Sequence, residues 1–277
     1  MDKTIFERNV IKIINREIEK LKEKNNLFNL ILRNDVFMLL EAQDCTVLYY
    51  PLDDKIEGFR VQKYVNGKEE EFIYINTAKA EDIQIFTAAH ELGHLINIDK
   101  IVCNEVEWKN PLKKVREDII DRFAAELLME KETFIKLFIA KGKNYVDQQG
   151  MISGENMLRT IAYLMDTFMV PYDSVVRRLW ETERINENVR DLLLDKKNVS
   201  ESLIEKAIEE GNYKRLKPTK IKSFGCLTQY LKKLDEAGEI SERRLQKIMN
   251  VFEIKEFEIE DIPFADNIQL EKGMCDE

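Results

Sequence analysis

Two histidines four residues apart are the side chains most able to do chemistry in this chain. His90 and His94 are its only histidines, and both fall in the run AAHELGH. On a helix this spacing places both imidazoles on one face, where they can bind a single Zn²⁺ ion at about 2.0–2.1 Å. Glu91 lies beside them and can accept a proton from water. The H-E-x-x-H pattern also arises by chance, but here it contains every histidine, on a helix expected to be buried.

A catalytic zinc ion needs a third protein ligand and an open fourth position. Because no third histidine exists, that ligand must be a carboxylate or a cysteine. Glu117 and Asp121 lie four residues apart on a predicted helix, so we expect Glu117 to bind the metal and Asp121 to orient a ligating histidine. Asp118 reads as a surface carboxylate, and Cys103 is a weaker rival in a predicted loop. The downstream candidates are Asp99, Cys103, Glu105, Glu107, Glu117, Asp118 and Asp121.

The elements that must position these residues follow from hydrophobic periodicity. The chain begins with amphipathic helical segments, continues with about three short strands, and is helical from the histidines onward. Asn66-Gly67 favours a tight hairpin turn between the second and third strands. We therefore predict an α+β fold with a small, mostly antiparallel sheet. The predicted helices are 4–24, 35–42, 79–97, 111–129, 131–141, 155–168, 172–184, 227–237 and 241–251, and the strands are 45–50, 57–65 and 71–75.

Composition excludes several classes of protein. A net charge of −9 argues against sequence-independent nucleic-acid binding by the whole surface. No apolar run reaches the roughly 18 residues of a membrane span, and the charged N-terminus does not resemble a secretory signal. The four cysteines are far apart in the sequence and form no C-x-x-C pair. We expect a cytoplasmic protein with reduced thiols and no membrane partner.

Two motifs resemble the ImmA/IrrE family of zinc metallopeptidases. The first is FTAAHELGH, residues 86–94, and the second is Glu117-x-x-x-Asp121-x-Phe-Ala-Ala-x-Leu-Leu-Met, which ends at residue 129. The resemblance covers about residues 45–185. Two positions depart from the family pattern: Asp121 replaces an asparagine and Glu130 replaces a proline. Asp121 brings the pattern closer to the glutamate-plus-aspartate arrangement of other zincins.

The resemblance implies a zincin-like metallopeptidase core with a predominantly helical C-terminal region. It makes His90, His94 and Glu117 the Zn²⁺ ligands and Glu91 the base. It further implies that the substrate is a helix-turn-helix transcriptional repressor of a phage or mobile element. We expect four segments: an N-terminal helical segment (1–43), the peptidase core (44–150), a helix-turn-helix-like segment packed on the core (151–185), and a C-terminal helical region with an acidic tail (186–277).

Some assignments remain open at this point. The oxyanion of the reaction needs a donor other than histidine, and Tyr163, Tyr172 and Arg177 are candidates. The helix-turn-helix-like segment could contact DNA through Arg177 and Arg178, although packing against the cleft is the favoured interpretation. The rival class is a non-proteolytic regulator that binds DNA or a repressor and holds zinc only structurally. The intact Glu91 favours the peptidase. The basic run 214–222 is interpreted as an exposed linker.

Overall fold

A computed structural model of the chain describes residues 3–28, 31–43, 45–52, 55–65, 68–108, 111–145, 152–224 and 227–252. The chain divides into two compact units, Met1–Gly225 and Cys226–Glu277. The four-part division expected from the sequence stays a prediction. The Asn66-Gly67 turn and the acidic tail from residue 253 onward lie outside the described residues.

The first unit opens with two helices. α1 (Lys3–Lys24) buries Val10, Ile14 and Ile18 along one face, as its amphipathic pattern predicts. This face packs against α4 and α5, two later helices whose bounds are given below. The short helix α2 (Asp35–Glu41) follows and leads into the sheet.

A four-stranded sheet forms in the described part of this unit, in the order β2-β3-β1-β4. β2 and β3 pair antiparallel, β1 and β3 pair parallel, and β4 pairs antiparallel with β1. The predicted α+β class is confirmed. The fourth strand was not expected, because it is only two residues long and comes from a distant part of the chain. The strands are β1 (Thr46–Tyr50), β2 (Gly58–Val65), β3 (Lys68–Asn76) and β4 (Ser223–Phe224).

The helix that carries both histidines is α3 (Glu81–Leu95). Its apolar residues Ile85, Ala88 and Leu92 are buried, and it contacts β2, β3 and α2. Because a helix between strands and other helices has little freedom to turn, the side chains on its remaining face point in a defined direction.

A helix that the sequence did not predict follows directly. Asn97 adopts a left-handed conformation with φ of 55°, which ends α3 and allows α4 (Ile98–Glu105) to start in a new direction. Cys103, expected in a loop, is therefore a buried residue of α4. The remaining helices of the first unit are α5 (Lys113–Leu128), α6 (Lys131–Gly142), α7 (Gly154–Phe168), α8 (Tyr172–Glu181), α9 (Glu187–Leu194) and α10 (Glu201–Glu210).

The basic run 214–222 is anchored rather than a free linker. The backbone N–H of Lys220 donates to the Thr77 carbonyl at 2.9 Å, and the Thr77 hydroxyl donates to the Ile221 carbonyl at 2.7 Å. The Thr219 hydroxyl also donates to the buried side chain of Gln84 on α3 at 3.0 Å. The run is exposed along most of its length, as expected from the sequence, at Lys214, Arg215, Lys217 and Lys220. Its anchoring was not predicted, because basic composition does not indicate where the backbone is hydrogen-bonded.

The second unit contains α11 (Leu227–Glu236) and α12 (Glu242–Val251) in its described part. Between them Gly238 has a φ of +66°, a conformation that glycine adopts without steric cost. The buried residues of this helix pair are Leu227, Leu231, Leu245 and Met249. Within the described ranges of both units, no helix combines the length and apolar character that crossing a bilayer requires.

Candidate metal centre

His90 and His94 face each other on the exposed side of α3. Their Nε2 atoms are 3.1 Å apart, and each side chain is about one-quarter exposed to solvent. The four-residue spacing stacks the two imidazoles one turn apart, as expected from the sequence. Two ring nitrogens this close can share either one proton or one cation.

Glu117 on α5 completes a triangle of donor atoms. Its Oε2 atom lies 3.5 Å from His90 Nε2 and 3.3 Å from His94 Nε2. A tetrahedral ion with bonds of about 2.0–2.1 Å has donor atoms separated by about 3.3 Å, so the three edges of this triangle match a Zn²⁺ site. Among the described residues, these three are the ones that form a cluster able to hold a metal ion.

Asp121 lies where it can orient His90. Its Oδ1 atom is 2.8 Å from His90 Nδ1, one turn along α5 from Glu117. This contact favours the tautomer in which Nδ1–H donates to the carboxylate and the Nε2 lone pair faces the triangle. Burial lowers the pKa of His90, but the hydrogen bond and the negative charge of Asp121 outweigh burial and raise the pKa above its ordinary value.

His94 differs from His90 in its protonation. Burial lowers the pKa of His94, and the positive charges of His90 and Arg60 lower it further, against the opposing effect of Glu117. A neutral imidazole is the form that binds a metal ion. In the metal-free protein His94 is therefore the histidine more ready to act as a ligand.

Glu91 points into a confined space beside the triangle. Only 7% of the residue is exposed. Burial raises the pKa of its carboxyl group, and the charges of His90 and Arg60 oppose this shift. Gly58 on β2 lies opposite, where a Cβ atom would be 2.5 Å from Thr87 Cγ2 and 3.8 Å from Glu91 Oε1. The absent side chain at position 58 thus leaves room for β2 to pass close to this turn of α3.

The close crossing of α3 and α5 depends on Gly93. A Cβ atom there would lie 2.9 Å from Phe123 Cδ1 and 3.1 Å from Ile120 Cγ2, closer than packed atoms tolerate. Phe123 and Ile120 are fully buried on α5. Gly93 therefore lets the two helices approach closely enough for Glu117 to reach both histidines.

The other candidate ligands are engaged or placed elsewhere. The Asp99 carboxylate pairs with Arg116 Nε at 2.6 Å, and Glu105 pairs with Arg16. Cys103 is buried on α4, and burial raises the pKa of its thiol. Asp118 is exposed, in agreement with its interpretation as a surface carboxylate. Neither Cys103 nor Asp118 belongs to the described metal-ligand cluster.

The helix-turn-helix-like segment consists of α7 and α8. Arg178 on α8 is fully buried; its guanidinium binds the Glu126 carboxylate and donates to the Met129 carbonyl at 2.9 Å. This residue is therefore a packing element between α8 and α5 and is withdrawn from any DNA surface. Arg177 is exposed.

The suggested oxyanion donors make contacts away from the triangle. The Tyr172 hydroxyl donates to the Leu193 carbonyl at 3.1 Å, and the Tyr163 ring lies 5.1 Å from Lys141 Nζ. Sequence reasoning missed Arg60, whose positive charge acts on the pKa values of both Glu91 and His94. An arginine in a strand carries no spacing signal, so only the packing of β2 on α3 reveals it.

Part of the chain is similar to a known protein family. The family model Peptidase_M78, described as the IrrE N-terminal-like domain, matches residues 40–180, just over half of the chain. A solved structure of a Mycobacterium tuberculosis transcriptional regulator is similar to 63% of this chain, at 16% identity and a TM-score of 0.42. The chain spans about half of that protein, since the match covers 48% of it. A comparison with curated proteins gives no significant match.

Proposed function

Because this chain belongs to the Peptidase_M78 family, whose domain is described as IrrE N-terminal-like, we propose that it is a zinc-dependent endopeptidase with a specific protein substrate. One observation carries the proposal. Two histidine nitrogens and a glutamate oxygen converge to within 3.5 Å of one another, beside the buried carboxyl group of Glu91. A site that serves only structure has no use for a base next to its ligands.

His90, His94 and Glu117 are the residues that would hold the metal ion. Their donor set, two imidazoles and one carboxylate, suits Zn²⁺, and its spacing suits tetrahedral bonds. A bound Zn²⁺ ion supplies Lewis-acid activation of water and of the scissile carbonyl group. Asp121 keeps His90 in the tautomer whose Nε2 lone pair faces the ion.

Glu91 moves the proton in the proposed reaction. Its carboxylate removes a proton from water as the water oxygen bonds to the carbonyl carbon. The same proton then passes to the amine nitrogen as the C–N bond breaks, so that one peptide bond and one water molecule give a carboxylic acid and an amine, which at neutral pH become a carboxylate and an ammonium group. Glu91 is buried beside the ligands, so its carboxylate is within reach of a water molecule in the site and can both accept the proton and return it.

The proposed substrate is a helix-turn-helix transcriptional repressor of a phage or mobile element, met in the cytoplasm. Two observations support this substrate: the motifs at residues 86–94 and 117–129 resemble those of the ImmA/IrrE family, and the chain belongs to the Peptidase_M78 family. The burial of Arg178 argues against the rival interpretation, in which α8 reads DNA and the metal is structural. The experiment described next distinguishes this non-proteolytic regulator from the peptidase.

The test compares the wild type with Glu91→Gln. Each protein is loaded with Zn²⁺ and incubated with the purified helix-turn-helix repressors encoded beside its gene, and fragments are identified by mass spectrometry. We expect equal zinc content in both proteins and cleavage by the wild type alone, since glutamine keeps the shape but cannot take the proton. Equal effects of both proteins on repressor-controlled transcription, without fragments, would favour the non-proteolytic regulator.

A further inference from the structure

Arg60 lies on the edge strand of the sheet, facing the metal centre. It is paired with Ile73 across β2 and β3, two residues from Gly58, and alternate residues of a strand share one face. Gly58 passes close to Glu91, so the same face of β2 carries the Arg60 side chain toward α3. About 31% of that side chain is exposed, which leaves the guanidinium at the rim of the site.

The guanidinium binds the last turn of α3. Arg60 Nη1 donates to the main-chain carbonyl of His94 at 3.1 Å. His94 is the penultimate residue of α3, and its carbonyl also accepts from the backbone N–H of Asn97 at 3.0 Å, so two donors hold this end of the helix. A cation at the C-terminal end of a helix also interacts favourably with the helix dipole. One proposed metal ligand therefore lies in the final turn of its helix, and Arg60 adds a contact from the sheet to that turn.

The two histidines are held in different ways. Asp121 orients His90 through the ring atom Nδ1, the usual arrangement for a histidine that binds metal. Among the described residues, no protein group forms a hydrogen bond with Nδ1 of His94. From outside α3, His94 is contacted by Glu117 Oε2 at its Nε2 atom and by Arg60 at its main-chain carbonyl, and only the Arg60 contact is independent of the metal-binding face.

The charge of Arg60 is balanced locally. Its Nε atom lies 3.1 Å from Glu71 Oε1 on the neighbouring strand β3. Glu71 offsets part of the positive charge that would otherwise repel Zn²⁺, while the guanidinium stays anchored on the sheet and holds the helix end. The contact therefore acts as a tether from the sheet to the helix.

We propose that Arg60 is a positioning residue of the metal centre, which ties the last turn of α3 to the edge strand and so sets the orientation of His94. The inference rests on the proposed function, because it assumes that His94 binds the metal. It predicts that loss of Arg60 weakens metal binding. Simple electrostatics predicts the opposite, because removal of a nearby positive charge should favour a divalent cation.

Co²⁺ serves as the probe because its absorption spectrum reports coordination geometry. Arg60→Met, Arg60→Lys and the control Lys63→Met are compared with the wild type. Lys63 is exposed on the opposite face of β2, so its variant removes the same charge without touching α3. For Arg60→Met we expect Co²⁺ affinity about tenfold weaker, as for other partners that orient ligands. We also expect an altered visible spectrum, partial recovery in Arg60→Lys, and wild-type behaviour in Lys63→Met.

A second readout needs no metal. Hydrogen exchange of the metal-free protein should be faster in Arg60→Met at the amides of Ile96 and Asn97, which donate to the Leu92 and His94 carbonyls. Unchanged or tighter Co²⁺ binding in Arg60→Met would overturn the inference and leave the proposed function standing. If the wild type itself takes up no Co²⁺ or Zn²⁺, the proposed function fails, and the inference fails with it.

Discussion

Three side chains with shifted pKa values meet at the candidate metal centre. The pKa of His90 is raised, that of His94 is lowered, and that of the buried Glu91 is raised. Each shift follows from what surrounds the group: the Asp121 carboxylate 2.8 Å from His90, burial and neighbouring positive charges at His94, and exclusion of water at Glu91. The two imidazoles, although chemically alike, thus differ in how readily they take a proton.

Replacement of Glu117 tests the ligand assignment directly. Glu117→Ala removes one of the three donor atoms, and we expect zinc affinity to fall more than about a hundredfold. This exceeds the loss of about 10–100-fold that is typical when a residue that only orients a ligand is replaced. Chelator competition measures the dissociation constant. Asp118→Ala is the matched control, since Asp118 is exposed on the same helix. Equal zinc retention by the two variants would refute the choice of Glu117.

Some residues of the candidate site could be predicted from the sequence, and others could not. The relative positions of His90, Glu91 and His94 follow from helical spacing, because a turn of 3.6 residues is a property of the backbone itself. Glu117 was expected from its spacing to Asp121 and from the family resemblance, whereas its closeness to the histidines depends on how α3 and α5 pack. Arg60 could not be predicted in this way. Its place beside α3 depends on which strand forms the sheet edge and on which face of that strand meets the helix.

At the scale of elements, the site is the crossing of α3 and α5. Glu81–Leu95 supplies the two histidines and Lys113–Leu128 supplies Glu117, the proposed third ligand, so the candidate site needs both helices. Their separation is set by the residues packed between them, with Gly93 at the closest approach. The geometry of the metal centre is therefore a consequence of helix packing.

Gly93→Ala is expected to destabilise the protein although alanine favours helices by about 1 kcal/mol. The added methyl group meets the buried Phe123 ring, so we expect the free energy of unfolding to fall by about 1–3 kcal/mol and zinc to bind more weakly. Urea denaturation of the metal-free protein measures the first effect. Gly154→Ala on α7 is the control, because nothing lies within 4 Å of a Cβ there and stability should be kept or slightly raised. If Gly93→Ala leaves the free energy of unfolding unchanged, the close packing of α3 on α5 at this residue would be contradicted.

A buried ion pair joins α5 to α8. Arg178 is fully buried against Glu126, and both Arg122 and Arg178 bind that carboxylate. Burial raises the pKa of Glu126, but the hydrogen bond and charge of Arg178, together with Arg122, outweigh it and lower the pKa. Because the folded pKa lies below the unfolded one, the stabilisation is complete above the unfolded value of about 4.3 and is lost as pH falls through the folded value.

Glu126→Gln should therefore change both stability and its pH dependence. At neutral pH we expect a loss of about 3 kcal/mol, the low end for a broken buried pair, because Arg178 stays buried and keeps only the ion pair with Glu181 at 3.2 Å. Below about pH 5 the variant should lose stability less steeply than the wild type. Chemical denaturation across pH 3–7 measures both effects; these pH values bracket the reference glutamate pKa of about 4.3. Glu155→Gln, which breaks an exposed pair with Arg159, should cost about 0–1 kcal/mol. If the free energy of unfolding depends on pH in the same way for Glu126→Gln and the wild type, the ionised Glu126 carboxylate does not have this stabilising role.

Two elements show where prediction from the sequence stops. α4 was missed because a single left-handed residue, Asn97, turns one helix into two without proline or glycine. β4 was missed because two residues carry no alternation, and its pairing with β1 is a long-range contact. The long amphipathic helices were predicted within a few residues, since their periodicity is local.

At the scale of the whole molecule, charge bears on which partners are possible. The chain carries a net charge of −9, and Arg178 is buried within the fold. We expect a fluorescein-labelled duplex to bind no more tightly than about 10⁻⁴ M at physiological salt, the weak end of non-specific DNA binding. Fluorescence anisotropy measures this. Tight binding that is abolished by Arg177→Glu would instead support the DNA-binding regulator.

The central claim is that His90, His94 and Glu117 hold a zinc ion with one position left open. A crystal structure of the zinc-loaded protein, with anomalous data collected at the zinc absorption edge, tests it most directly. We expect one anomalous peak bonded to the Nε2 atoms of both histidines and to the Glu117 carboxylate, with a water molecule as the remaining ligand near Glu91. A peak elsewhere, or an ion enclosed by four protein ligands, would contradict it.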